Sequence, residues 1–256
     1  MKQLIAFTKK EFLELIRTGK IYILLIIFVI FGIMNPALAK LTPWMFEMLA
    51  DTMKEQGIIL KDVTVTAMTS WEQYYKNMSM EFIVLVVMFC GILTSEYQKG
   101  TLINMLTKGL PRWKVILSKS VALFTSWSIC YWLTFGITYT YNAYFWDNSI
   151  AKHLVFSAMG SYLFGLWLLS LILLCSAFLN SSSAVLLSTG VVYVITYLIS
   201  MVPKLSDVLP IKLTAGMDLL NGNSSIKDYR FAFALTIILI LIGGIATVVG
   251  FNRKRI

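Results

Sequence analysis

Apolar and polar positions fall in blocks along this chain, not at a single helical or strand period. Uncharged apolar stretches occupy residues 21–38, 120–146, 154–179, 184–201 and 231–252. About 20 such residues as a helix cross roughly 30 Å of hydrocarbon, so each stretch predicts a membrane span. A sixth, 82–95, is short between Glu81 and Glu96, so its helix is predicted to start earlier, near Tyr74. No charge appears from 154 to 203, yet Asn180, Ser181, Ser182 and Ser183 interrupt the run and split it into two spans joined by a tight loop. Ala37, Leu38 and Ala39 mimic a signal-peptide cleavage site, but a long segment containing Glu11 and Glu14 precedes the apolar run, so a retained span is expected.

The connections carry their own pattern. Residues 40–75 hold Trp44, Met45, Phe46, Met48 and Leu49, then a charged stretch, then Trp71, Tyr74 and Tyr75. This predicts one or two short amphipathic helices on the outer surface with aromatic rings at headgroup level, or a gate over a translocation path. A similar short helix is predicted over 211–220, stopped by Asn221 and Gly222.

Composition and charge agree with lipid as solvent. The chain of 256 residues is 58% hydrophobic and 14% charged, with mean hydropathy +0.76, against about 45–50% apolar and 25% charged for soluble domains. Six spans return both termini to one side. That side then holds thirteen basic and three acidic side chains, and the other side nine and ten. The excess of Lys and Arg marks the cytoplasmic face. It also accounts for the pI near 9.4 through an anionic inner leaflet, without nucleic acid.

Little else suggests chemistry. Cys90, Cys130 and Cys175 stand in separate apolar stretches and read as small apolar side chains. His153 is the sole histidine, too few for a zinc site, and no G-x-x-x-x-G-K-S/T loop exists for nucleotide. Glu81 reads first as an outer-interface carboxylate near Lys76. The alternative is a charge within the span, which costs about 2.5–3.5 kcal/mol at the bilayer centre and marks ion pathways.

Two segments point to mechanism. As a helix, residues 2–17 place Leu4, Ile5, Phe7, Phe12, Leu15 and Ile16 on one half and most charges on the other, with Glu11 near the border. Such a helix lies in the interface plane, as an anchor or as a mechanical element. Between spans two and three, Gly100 and Thr101 give a helix start, Leu102, Ile103 and Leu106 an apolar stripe, and Gly109 with Pro111 a stop and restart. A two-turn helix is marginal in water and depends on docking, so it predicts a partner on the cytoplasmic side.

Glu96, Gly100, Thr101, Leu102, Leu106, Pro111, Arg112, Trp113 and Lys119 carry a resemblance to the membrane permease subunits of ATP-binding-cassette (ABC) exporters of type two. That family has an interfacial N-terminal helix, six spans and a coupling helix between spans two and three. Its loop commonly holds a second acidic residue before Gly-Thr, where this chain has Tyr97, Gln98 and Lys99. The resemblance implies that two copies of a separate ATPase dock beneath this loop and bind ATP and magnesium, with no cofactor and no enzymatic activity in this chain. The implied ATPase-coupling residues are Glu96, Gly100, Thr101, Leu102, Ile103, Leu106, Lys108, Pro111, Arg112 and Trp113, with Lys10 and Glu14 of the N-terminal helix.

The fold class expected is all-α: a polytopic membrane protein of six transmembrane helices in one domain over 1–256. It comprises an interfacial helix at 1–19, spans at 20–39, 74–96, 111–146, 153–179, 184–202 and 229–251, a coupling loop at 97–110, and outer connections at 40–73 and 203–228. The function expected is outward transport of an amphipathic or hydrophobic substrate such as a peptide, in the plasma membrane of a bacterium, with both termini cytoplasmic and a second permease subunit, identical or similar, completing the membrane domain among lipid. Adaptable Met and flat aromatic surfaces suit such substrates. They nominate Met34, Met88, Phe89, Tyr131 and Tyr193, with Glu81, as a substrate path. Two rivals stand. A secondary transporter or channel would carry midplane charges or broken helices, of which Asn35-Pro36 is the one instance. A peptide-immunity or sensor subunit would bind at the outer face without transport.

Overall fold

A computed structural model describes residues 2–55, 64–107 and 109–254, and every regular element among them is helical. In chain order these are α1 (Lys2–Arg17), α2 (Lys20–Glu55), α3 (Ala67–Phe89), α4 (Thr94–Gln98), α5 (Thr101–Thr107) and α6 (Arg112–Phe145). A 3-10 turn at Asn148–Ile150 leads to α7 (Leu154–Phe178), α8 (Ser182–Ser200) and α9 (Pro203–Ser206). A second 3-10 turn at Pro210–Thr214 precedes α10 (Gly216–Leu220) and α11 (Ile226–Arg253). Among the described residues six helices are long and apolar enough to cross a membrane, with α3 and α4 together forming the second.

Both termini lie at one end of the bundle, because the start of α6 reaches each of them. Lys114 Nζ donates to Gln3 Oε1 at 2.8 Å, and Arg112 donates to the Lys254 carbonyl at 2.6 Å. α7 is the central helix, packed on by α11, α6, α8 and α3. Small residues let these helices approach: a side chain on Gly165 would overlap the Trp127 ring, whose indole N–H donates to the Tyr162 carbonyl at 3.0 Å. Close approach of this kind replaces the hydrophobic effect as the source of helix association in lipid.

A polar ladder joins α2, α3 and α6. Asn77 Nδ2 donates to Asn35 Oδ1 (2.8 Å), and Asn35 Nδ2 donates to Thr138 Oγ1 (3.2 Å). Thr138 Oγ1 in turn donates to the Gly32 carbonyl at 3.1 Å. Pro36 has no N–H for the carbonyl four residues back, which is that of Gly32, so Thr138 supplies the missing donor. This is why α2 runs unbroken through Asn35-Pro36, where a broken helix was the feature to look for.

The boundaries of two spans and both outer connections differ from expectation. α2 continues to Glu55, so residues 40–55 prolong the helix of the first span, itself Lys20–Met48, instead of forming separate surface helices. Lys40 does not stop it, because its ammonium sits 3.9 Å from the centre of the Phe145 ring on α6. Residues 56–63 of the expected outer segment lie outside the described residues. α3 starts at Ala67, with Thr69 Oγ1 accepting from the Thr66 N–H at 3.4 Å, and it gives way to a turn before α4. The 203–228 connection is not a surface helix either. Leu213, Leu219 and Leu220 are buried, and Ser157 Oγ of α7 donates to the Gly216 carbonyl at 3.0 Å. Its helix breaks at Ala215, whose carbonyl accepts from Tyr229 at 2.7 Å.

Candidate functional site

At the end that carries the termini, α1, α4 and α6 meet through five charged side chains. α1 turns Phe7, Glu11 and Leu15 inward, one helical turn apart, while Ile5 and Ile16 face outward. Glu11, placed near the border of the helical wheel by sequence, is therefore at the centre of the buried face. Lys119 explains it: this α6 side chain reaches Glu11 Oε2 at 2.9 Å and Glu96 Oε2 of α4 at 3.2 Å. Lys10 closes the network from the other side, bonding Glu11 at 3.1 Å, Glu14 at 2.7 Å and Glu96 at a short hydrogen bond.

Glu11, Glu14 and Glu96 bring carboxylate oxygens within 4.8 Å of one another, a spacing that suits a cation. The two ammonium groups of Lys10 and Lys119 take that role. Burial alone would lower the Lys10 pKa, but its hydrogen bonds to Glu14 and Glu96 and the charge of Glu11 outweigh this and raise it. Burial likewise acts to raise the Glu14 pKa, and the Lys10 hydrogen bond reverses it to a net depression. Thr8 Oγ1 adds a bond to Ser118 Oγ at 3.1 Å, so α1 is pinned to α6 by charge and by hydroxyls.

The short helix hangs from this frame. α5 spans Thr101–Thr107 between Gly100 (φ +65°) and Gly109 (φ +84°), left-handed conformations that glycine adopts without strain and that let the chain turn sharply at both ends. Leu102 is fully buried, Ile103 and Thr101 are exposed and Leu106 is half-buried. Ile103, Leu106, Pro111 and Arg112 line an open cleft of about 410 Å3 with Thr107 and Leu110. Lys108 lies outside the described residues. Pro111 caps α6, and Trp113 is exposed just inside it. Arg112 donates to the carbonyls of Phe251 (2.8 Å), Asn252 (3.1 Å) and Lys254 (2.6 Å), closing the C-terminus of α11. Lys254 does the same for α7, donating to the Leu179 carbonyl at 2.7 Å while lying 4.0 Å over the Tyr97 ring. Tyr97, Gln98 and Lys99 thus stand where a second acid was looked for, and Tyr97 binds a cation through its ring.

The sequence-nominated path residues are dispersed. Met34 and Met88 are half-buried on α2 and α3, Phe89 is fully buried, and Tyr131 donates from the core to the Ala158 carbonyl at 2.5 Å. Tyr193 lines a cavity of about 200 Å3 between α3, α7 and α8 with Phe82 and Thr189. Glu81 corrects the interface reading. It is completely buried in α3, and neither carboxylate oxygen has a hydrogen-bond partner among the described residues. Lys76 pairs instead with Glu72 at 2.7 Å, one turn along the same helix. Glu11 was missed as a site residue because its partner comes from a distant span; the one signal was an acid spaced four residues from both Phe7 and Leu15.

Six apolar spans with a charged network where α1, α4 and α6 meet at one end define a multi-pass membrane protein. A family model described as ABC-2 family transporter protein matches residues 5–221, and the chain belongs to that family. It is thus a multi-pass membrane permease of an ABC transporter, and permeases of this family in general imply an ABC ATPase partner. The match includes α1 from its fourth residue, the charge network and five spans, and ends before α11. A comparison with curated proteins finds no match.

Proposed function

We propose that the chain is one half of an exporter's membrane domain, and that two ATPase subunits grip α5 and the adjoining face of α1 from the cytoplasm. The observation that carries this is the ion-pair network of Lys10, Glu11, Glu14, Glu96 and Lys119. It joins α1 to both ends of the α5 loop, so a displacement of α5 is transmitted to spans two and three together. The cleft beside Ile103 and Leu106 offers a seat of mixed polar and apolar character, with Thr107 and Arg112 in its wall. The basic end of the bundle faces the cytoplasm, following the Lys and Arg excess. α8 buries only Val185 and Thr189 of its own residues, and its apolar remainder is where a second permease subunit, identical or similar, pairs. The cargo is amphipathic or hydrophobic, a peptide being one such molecule, and of the nominated residues Tyr193, at the cavity between α3, α7 and α8, is the one placed to meet it.

The test is co-purification from native membranes with residues 101–107 replaced by a Gly/Ser linker. Loss of a co-purifying ATPase supports the coupling role, and an unchanged partner set overturns it. The unpartnered carboxyl of Glu81 favours a second reading, ion-coupled transport. Transport that persists without ATPase and disappears in Glu81→Gln would select it.

A further inference from the structure

A groove of about 510 Å3 runs along the membrane-spanning surface between α6, α7 and α11. Its α6 wall extends from Trp113 to Phe124 and its α11 wall from Ile240 to Val249. At 1.5 Å rise per residue these walls measure roughly 14–17 Å. That is about half of a 30 Å hydrocarbon core, the depth of one leaflet.

No hydroxyl in the lining is free to donate to a ligand, and the other polar side-chain group there, the Trp113 indole N–H, sits at the end of the groove. Ser120 donates to the Ile116 carbonyl (2.9 Å), Thr247 to that of Gly243 (2.7 Å) and Ser170 to that of Ile240 (3.4 Å), so each hydroxyl is turned onto a helix backbone. Gly244 lies in the wall with nothing within 4 Å of the position a Cβ would take, and its missing side chain leaves the groove open. One end is basic. Lys114 lies beside Trp113 with its ammonium 5.7 Å from the indole centre. It donates once to the neutral Gln3 Oε1 (2.8 Å), which leaves its charge unpaired among the described residues and two of its three N–H groups for a headgroup. Exposed Arg253 follows Val249 by one turn. The opposite end, at Phe124 and Ile240, lies in mid-span where both helices are uncharged.

We propose that this groove is a binding site for one anionic phospholipid, an acyl chain lying between α6 and α11 and the phosphate headgroup meeting Lys114 and Arg253. The leaflet-deep length and the predominantly hydrocarbon lining select an acyl chain. The two cations at the mouth select the headgroup, since a zwitterionic lipid brings its own ammonium to them. Arg112 does not take part, because its guanidinium is committed to the C-terminal carbonyls of α11. The site is independent of what the transporter carries.

The experiment is native mass spectrometry of the full chain released from nanodiscs of equal parts phosphatidylglycerol and phosphatidylcholine. Wild type retains one phosphatidylglycerol in preference to phosphatidylcholine by roughly tenfold or more, given two basic side chains near the headgroup. Gly244→Leu fills the groove and abolishes the retained lipid. The double variant Lys114→Gln, Arg253→Gln keeps a lipid but loses the preference, and it decides the matter if the leucine variant does not fold. Equal retention of the two lipids by wild type, or a preference that survives in the double variant, overturns the proposal.

Discussion

Lys119 Nζ lies 2.9 Å from Glu11 Oε2, and both side chains are 1% exposed. Two opposite charges are thus held away from water between an N-terminal helix and the third span. Each is tolerable because opposite charges surround it, Glu11 and Glu96 about Lys119 and Lys119 and Lys10 about Glu11, since the desolvation of an unpaired buried charge is far larger than the net gain of a pair.

Removing one partner is therefore expected to cost about 3–5 kcal/mol. Lys119→Met should be strongly destabilising in thermal or denaturant unfolding in detergent. Lys119→Met combined with Glu11→Gln should cost clearly less than the sum of the two single changes. Additive losses would show that the pair is not coupled.

The outer edge of the same network responds to acid. The depressed pKa of Glu14 means that its contribution is fully present above the unfolded glutamate value of about 4.3 and is lost as pH falls through the lower folded value. The raised pKa of Lys10 gives the opposite sense, with its contribution present below the unfolded lysine value and lost only at strongly alkaline pH. Hydrogen exchange in α1, corrected for intrinsic rates, should speed up as pH drops below 4, and Glu14→Gln should flatten that dependence.

Thr138 substitutes for the donor that Pro36 lacks. Thr138→Val is expected to cost about 1–2 kcal/mol, because it strips the Gly32 carbonyl of its donor and the Asn35 amide of its acceptor. In a Pro36→Ala background the backbone N–H returns to that carbonyl, and the same change should cost about half as much. Equal costs in the two backgrounds would exclude the substitution of one donor for the other.

Glu81 is buried without a partner among the described residues, so the fold carries the desolvation of a carboxyl without a compensating bond. Glu81→Met should stabilise the protein by about 1–3 kcal/mol, read as a rise in melting temperature. A fall would mean that the carboxyl is bonded in the membrane-embedded protein.

The sequence by itself determined the number and approximate position of the spans, the α1 and α5 helices and the grouping of Lys and Arg at one end. Each of these follows from local pattern: an uncharged run long enough for hydrocarbon, a glycine on either side of a short apolar stripe, a helical wheel. Glu96, Pro111, Arg112 and Lys119 were legible as a motif for the same reason, since they are near neighbours in the chain. Tertiary structure alone decided the burial of Glu11 and Glu81, the continuity of α2 through Pro36 and Lys40, and the insertion of the 203–228 connection into the bundle. Apart from Glu81, which the packing buries without a partner among the described residues, the deciding partner in each case lies on another helix: Lys119 for Glu11, Thr138 for the Gly32 carbonyl, Phe145 for Lys40, Ser157 and Tyr229 for the backbone around Gly216. A backbone or charged group in lipid takes whatever satisfying partner the packed helices bring to it, and which helices those are is a property of the assembled bundle, not of any local stretch of sequence.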